Sequence, residues 1–422
     1  MNRCFRPTLL VGLGLALAAS ASAQAPAKAP AAFALRDGDR VVFYGDSITQ
    51  EGGYGRLVEE YVATRFPGWD VRFDNAGVGG DTVRGGGQGA IDVRLERDVI
   101  ALHPSVVTIM LGMNDGGYKP FDPTTLAAFG EGYAAIVQKL KQALPGVRLT
   151  LIRSSPFDDV ARPAQFQPGY DDALRRLGCY VATLAAREKA TAVDFRDPLN
   201  AGIAVLVKTS PDLAPLLLPD RVHPSAAGQL VMGATLLRAW GATALVSRVE
   251  IDAAAKAAVA TENTDLTGLS VADGSLSWTQ LDHALPLPLS FDDAEVALAQ
   301  RAGADLATID SEPLTVKGLR AGRYELRIDG SQVAELSEAE LAAGVDLARV
   351  QTPQRWQAMS VKWSVDGSVE LQRLRRRLLA DGGSDPKARE AAAFLSRADE
   401  QARKQRRGDA QPKPRRYEIR AR

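Results

Sequence analysis

Val106-Val107-Thr108-Ile109-Met110-Leu111 is apolar almost without interruption and runs straight into Gly112-Met113-Asn114-Asp115-Gly116. A strand with one wet face alternates polar and apolar residues, whereas a strand covered on both faces does not. The unbroken run is therefore the pattern of a central parallel strand ending in a turn. Leu149-Thr150-Leu151-Ile152 repeats it. Around these two lie other short β-branched runs, giving five predicted strands at 40–44, 71–75, 106–111, 147–153 and 190–195. Amphipathic stretches at 55–65, 91–102, 125–144 and 170–189 separate them, and a helix over about 225–240 closes the unit. Strands alternating with helices imply right-handed crossovers and a sheet covered on both faces. The expectation is a three-layer α/β/α sandwich with a mainly parallel five-stranded sheet over 37–249.

The texture changes on either side of this unit. At the start, Arg3 and Arg6 precede an apolar run from Leu9 to Ala18, then Ala21-Ser22-Ala23. This is the order of a secretory signal peptide over 1–23, followed by a Pro/Ala linker at 24–36. The apolar run is too short to span a bilayer, so no integral membrane association is expected, and the mature protein should be periplasmic or secreted. After residue 249, a helical pattern at 251–259 and a looser stretch with a turn at Asp273-Gly274 make 250–312 a connecting segment. Two strands joined by a glycine turn, Leu314 to Gly330, define a small β-rich accessory module at 313–368. The remainder, 369–422, is predicted to be a helical basic segment broken at Gly382-Gly383 with a disordered end.

Composition excludes some functions. The 422 residues carry 51 Lys and Arg against 51 Asp and Glu, a balance unsuited to gripping nucleic acid. The three histidines are His103, His223 and His283, and no Cys/His cluster has metal-ligand spacing, so neither a metal nor another cofactor is expected. His103 reads as structural at a helix end, and nothing marks His283 as a ligand.

Four motifs fall on loops after predicted strands or before the closing helix, where open parallel sheets place their sites. Gly45-Asp46-Ser47-Ile48 follows the first strand and can lift a serine hydroxyl to the top of the sheet; alone it is also an ordinary helix cap. Asn75-Ala76-Gly77-Val78-Gly79-Gly80-Asp81-Thr82 follows the second, its glycines freeing backbone N–H groups for close approach. Gly112-Met113-Asn114-Asp115 ends the third with an amide placed to donate to an oxyanion, though a lone Asn-Asp is equally a turn. Pro219-Asp220-Arg221-Val222-His223-Pro224 precedes the closing helix, and one short loop can set the carboxylate on the imidazole. Asp81 and Asp115 are expected to brace their loops, while Tyr54 and Arg56 either line the site or begin a surface helix.

Taken together and in this order, the four motifs resemble the SGNH (GDSL-type) hydrolase superfamily over about residues 40–240. Matching positions are Ser47, Gly80, Asn114 and His223, with Asp220 as the orienting acid and Ile48 where the family has Leu. The resemblance implies a flavodoxin-like SGNH fold and a serine esterase with Ser47, Asp220 and His223 as catalytic triad. Ser47, Gly80 and Asn114 would form the oxyanion hole. An α/β-hydrolase would place its serine in a Gly-x-Ser-x-Gly elbow, and Thr49 stands where the second glycine would be. The partner expected is a small-molecule or polysaccharide ester, with acetylated carbohydrate first. A lipase or lysophospholipase, or a non-catalytic glycan-binding protein retaining the fold, are the alternatives.

Overall fold

The computed structural model describes residues 32–272, 275–382 and 385–422. The expected signal peptide, residues 24–31 of the expected linker, the turn at Asp273-Gly274 and Gly383 lie outside them.

The first, α/β half contains β1 (Arg40–Gly45), α1 (Ser47–Glu51), α2 (Gly53–Arg65), β2 (Arg72–Gly77), a short hairpin of β3 (Gly85–Gly86) and β4 (Gly89–Ala90), and α3 (Ile91–Asp98). Next come β5 (Val106–Met110), α4 (Pro123–Ala143), β6 (Arg148–Arg153), α5 (Tyr170–Glu188), β7 (Thr191–Asp194), α6 (Arg196–Thr209) and α7 (Ala226–Ala239). The five main strands form one parallel sheet in the order β2-β1-β5-β6-β7. Side chains alternate across it. Val41 and Phe43 enter one core with α2, α6 and α7, while Val42 and Tyr44 enter the other with α3 and α4. Each fully buried Val, Leu or Phe contributes about 1.5–3 kcal/mol, so two such cores hold the three layers together. Helix α6 is additional to the expected set. Pro198 and Gly202 interrupt its sequence pattern, yet Pro198 sits in the first turn, where a missing N–H breaks no helical bond.

Several expectations outside the sheet are corrected. The end of the expected linker is packed: Phe33 stacks on Phe66 at 5.4 Å between ring centroids, and Leu35 is buried. The expected connecting segment 250–312 is not a connector. Its first part supplies β8 (Arg248–Asp252), β9 (Ala257–Glu262), β10 (Thr264–Ala272) and β11 (Ser275–Asp282). The predicted helix at 251–259 is thus a β-hairpin; an alanine-rich stretch favours helix locally, and sheet pairing overrides it. The rest returns to the α/β half, where Leu287, Leu289 and residues of α8 (Ala294–Arg301) join the core that faces α7.

The accessory module continues through β12 (Pro313–Lys317), β13 (Arg323–Ile328), β14 (Ser331–Ser337), α9 (Glu338–Ala343) and β15 (Val345–Asp346). Ser337 and Glu340 cap α9 reciprocally. Helices α10 (Pro353–Gly382) and α11 (Pro386–Asp409) follow, and then β16 (Arg415–Ala421), where a disordered end was expected. Strand β16 is central in the sheet β10-β11-β16-β13-β14, and the second sheet runs β15-β12-β8-β9. Val249, Leu314 and Val316 from one sheet share a core with Trp278, Leu326, Tyr417 and Ile419 from the other, which makes the module a two-sheet sandwich.

The expected basic tail is also a packed element. Helices α10 and α11 lie along α2 and the edge strand β2. Arg406 pairs with Glu59 at 2.8 Å, Arg375 with Asp74 at 2.6 Å and Arg407 with Asp70 at 2.6 Å. Gln372 Nε2 donates to Phe73 O at 2.9 Å and Arg376 Nη1 to Gly77 O at 2.8 Å. These donors satisfy carbonyls that an open sheet edge would leave exposed. Among the described residues, no helix is long and apolar enough to cross a membrane.

Candidate active site

The chain leaves β1 to form β2 on one side and β5 on the other, so the strand order reverses at β1. In an open parallel sheet, the crevice beyond the strand ends at such a point is where ligands bind. Gly45 closes β1 under tight constraint: a Cβ there would lie 2.3 Å from Thr49 Oγ1 and 2.6 Å from Met110 O. The next residue, Asp46, caps α1, its Oδ1 accepting from Ile48 N at 3.0 Å. Ser47 thus opens the helix, half-buried, with its hydroxyl directed to the loop before α7.

That loop supplies the other two groups. His223 Nε2 lies 2.8 Å from Ser47 Oγ, and His223 Nδ1 lies 2.6 Å from Asp220 Oδ2. The second carboxylate oxygen accepts from the backbone N–H of His223 at 2.7 Å and of Val222 at 2.9 Å. Burial alone would raise the Asp220 pKa, but these hydrogen bonds outweigh it and hold the carboxyl below its ordinary 3.8. The tight reversal needs Arg221 at φ 74°, a left-handed conformation costly for a side-chain-bearing residue. Its guanidinium donates to Pro163 O at 3.0 Å, and its carbonyl accepts from Asp158 N at 2.9 Å, which pins the turn.

The loops after β2 and β5 meet beside Ser47. Gly80 has φ +78°, and among the described residues its N–H donates to nothing, leaving a donor free. A Cβ on neighbouring Gly79 would come within 3.8 Å of Ser47 Cβ, which measures how closely this loop passes the hydroxyl. Asn114 Nδ2 donates one hydrogen to Asp81 O at 3.0 Å, and its second amide hydrogen remains available. Every site residue expected from sequence therefore lies around one crevice: Ser47, Asp220 and His223 in a hydrogen-bonded chain, Gly80 and Asn114 on adjoining loops.

The two loop aspartates brace as expected. Buried Asp81 accepts from Arg94 Nε at 2.8 Å, and Arg94 Nη2 also donates to Ala76 O at 2.9 Å. Asp115 Oδ1 accepts from Val83 N at 2.9 Å, and burial lifts its carboxyl to about 6. Tyr54 is buried, bonded to Thr49 Oγ1 at 3.0 Å, and Arg56 donates to Glu51 O, so both hold α1 and α2 rather than contacting the triad. His103 ends a short turn, and exposed His283 pairs with Asp265 at 2.9 Å.

Four supporting residues were not anticipated. Gln50 Oε1 accepts from Gly79 N at 2.7 Å, and Tyr118 OH donates to Asn114 Oδ1 at 3.1 Å. Gln229, from α7, accepts from Tyr54 N at 2.9 Å and donates to Ile48 O at 3.2 Å. Arg94 is the fourth. An aromatic four residues after Asn114 is the only local signal among them; the rest act across sequence separations that no motif records.

The fold and this crevice define a class that comparison with known proteins matches. Residues 43–231 match the GDSL-like Lipase/Acylhydrolase family. Over those residues the chain is similar to SGNH-type carboxylic ester hydrolases. It is similar to an acetylxylan esterase of Geobacillus stearothermophilus, 28% identical over 229 residues, covering 49% of this chain and 96% of the relative. The solved structure of that esterase covers the same 49% of this chain and 96% of its own, at 27% identity and TM-score 0.39. A solved structure of a gut microbial diltiazem-metabolizing enzyme is similar over far more: 92% of this chain and 98% of the other, at 26% identity and TM-score 0.79.

Proposed function

We propose that the protein is an exported serine esterase that removes small acyl groups, acetyl first among them, from carbohydrate esters. The observation that carries the mechanism is the continuous chain Ser47 Oγ–His223 Nε2, His223 Nδ1–Asp220 Oδ2 at 2.8 and 2.6 Å. His223 accepts the Ser47 proton as Oγ attacks the ester carbonyl. Asp220, twice bonded by the loop backbone, fixes the imidazole tautomer and stabilises the imidazolium. The oxyanion takes donors from the Ser47 and Gly80 N–H groups and from the Asn114 amide. His223 then protonates the leaving alcohol and activates water to release the acyl group from Ser47.

The preference for carbohydrate rests on the similarity to an acetylxylan esterase. A small-molecule ester is the second reading, favoured by the similarity to a diltiazem-metabolizing enzyme over nearly the whole length. Export rests on the order of Arg3, Arg6, the apolar run and Ala21-Ser22-Ala23.

The test is hydrolysis of p-nitrophenyl acetate by the wild type and by Ser47→Ala, followed by a panel of acetylated oligosaccharides and long-chain acyl esters. The expected result is activity that Ser47→Ala abolishes, together with labelling of Ser47 by a fluorophosphonate. Equal rates in both proteins and no labelling would refute the triad. Preference for long acyl chains would refute the carbohydrate assignment alone.

A further inference from the structure

Helix α10 does more than cover the edge of β2. Its last turns and the Gly77–Gly79 segment enclose a cavity of about 360 Å³, completed by Gln50, the β3–β4 hairpin and the end of α3. Gly79, which lines it and is held by Gln50, belongs to the loop that passes beside Ser47, so the cavity lies next to the nucleophile's loop. Four arginines line its walls, Arg97, Arg373, Arg376 and Arg377, against one carboxylate, Asp98. Asp98 is already engaged by Arg94 and Arg97. Arg373 pairs with Glu370 at 2.9 Å at the rim. Among the described residues, neither Arg376 nor Arg377 pairs with a carboxylate.

Three other guanidinium groups of α10 and α11 are matched to acids of the catalytic half, Arg375 to Asp74, Arg406 to Glu59 and Arg407 to Asp70. Those facing the cavity are left in excess. Arg376 spends one N–H on Gly77 O and lines this space with donors to spare. Burial, reinforced by Arg94, Arg373 and Arg375, draws its pKa down to about 10 against the opposing pull of Asp74. A planar fork of donors in a partly desolvated cleft is suited to a carboxylate, which it can grip with two parallel bonds.

We propose that this cavity is a subsite for a carboxylate on the alcohol part of the ester, so that the preferred substrate is an acylated acidic sugar or another ester of an anionic alcohol. The proposal rests on the Ser47 esterase reading and names its substrate class. The matched probes are 4-acetoxybenzoate and 4-acetoxybenzamide, which differ in the charge remote from the ester. The quantity read is the ratio of their kcat/KM values, in wild type, Arg377→Ala and Arg376→Met. Because both esters are assayed on one preparation, partial misfolding of a variant cancels from the ratio. Wild type should favour the anionic ester by about tenfold over the ratio in either variant, the size of one charge-assisted hydrogen bond. A ratio unchanged by both substitutions, with the neutral ester still cleaved, would overturn the subsite and leave the esterase standing. Failure to cleave either ester would overturn both.

Discussion

Asn114 is held from two sides: its Nδ2 donates to Asp81 O and its Oδ1 accepts from Tyr118, so the amide cannot rotate out of the crevice. Pre-orientation of this kind is what makes an oxyanion donor effective, because nothing need reorganise as charge develops. Asn114→Ala should lower kcat by about two to three decades with KM little changed. A change confined to KM would mean that Asn114 binds the ester in its ground state instead. A second expectation concerns Asp46, buried beneath the nucleophile, whose carboxyl desolvation raises to about 7 against an ordinary 3.8. A raised carboxyl pKa means the folded state holds its proton more tightly than the unfolded state. The stabilisation is complete below 3.8 and is lost as pH climbs through about 7. Asp46→Asn keeps the acceptor for Ile48 N and should flatten that decline. In Tm measured against pH, the variant should gain on the wild type between those two values. Parallel curves would show that Asp46 is not the titrating group.

Among the elements, helices α10 and α11 are fixed to the catalytic half by buried ion pairs, the most enclosed being Arg406–Glu59, with both side chains 5% exposed. Removing one partner strands the other in a desolvated position, which costs roughly 3–5 kcal/mol, whereas replacing both with apolar groups is close to neutral. Arg406→Leu should therefore lower stability strongly in urea denaturation, and Arg406→Leu with Glu59→Leu should restore most of it. Equal losses in single and double variants would mean that apolar packing, not the pair, secures the hairpin. The same helices show where sequence reading stops. The runs at 106–111 and 149–152 announced their strands because burial on both faces leaves an unbroken apolar pattern. The Ser47, Asn114 and His223 loops were legible because catalysis requires fixed residue types at fixed spacing. Nothing local distinguishes an arginine facing solvent from one facing Glu59. The alternation in Arg415–Ala421 is likewise too short and too charged to reveal a central strand. Both are settled by partners far away in the sequence, as is the grip of Gln229 on α1.

On the scale of the whole molecule, the chain crosses between its two halves repeatedly. It leaves the parallel sheet at β8, returns for α8, leaves again at β12, runs back along β2 with α10 and α11, and ends in the sandwich. The similarity over 92% of the chain to a diltiazem-metabolizing enzyme extends across this whole path, whereas the similarity to the acetylxylan esterase stops at the catalytic half. The crossings give the cavity beside Gly77–Gly79 a wall, the end of α10, that the α/β domain does not supply from its own residues. They also impose an order on manufacture. Strands β11 and β13 have no direct pairing with each other; β16 lies between them and is translated after both. Until the ribosome has passed residue 421, both strands carry open edges and Trp278 lacks the ring of Tyr417 that stacks on it at 5.1 Å. A polypeptide released early would display those edges to proteases and chaperones, so the topology carries its own check that translation has run through β16.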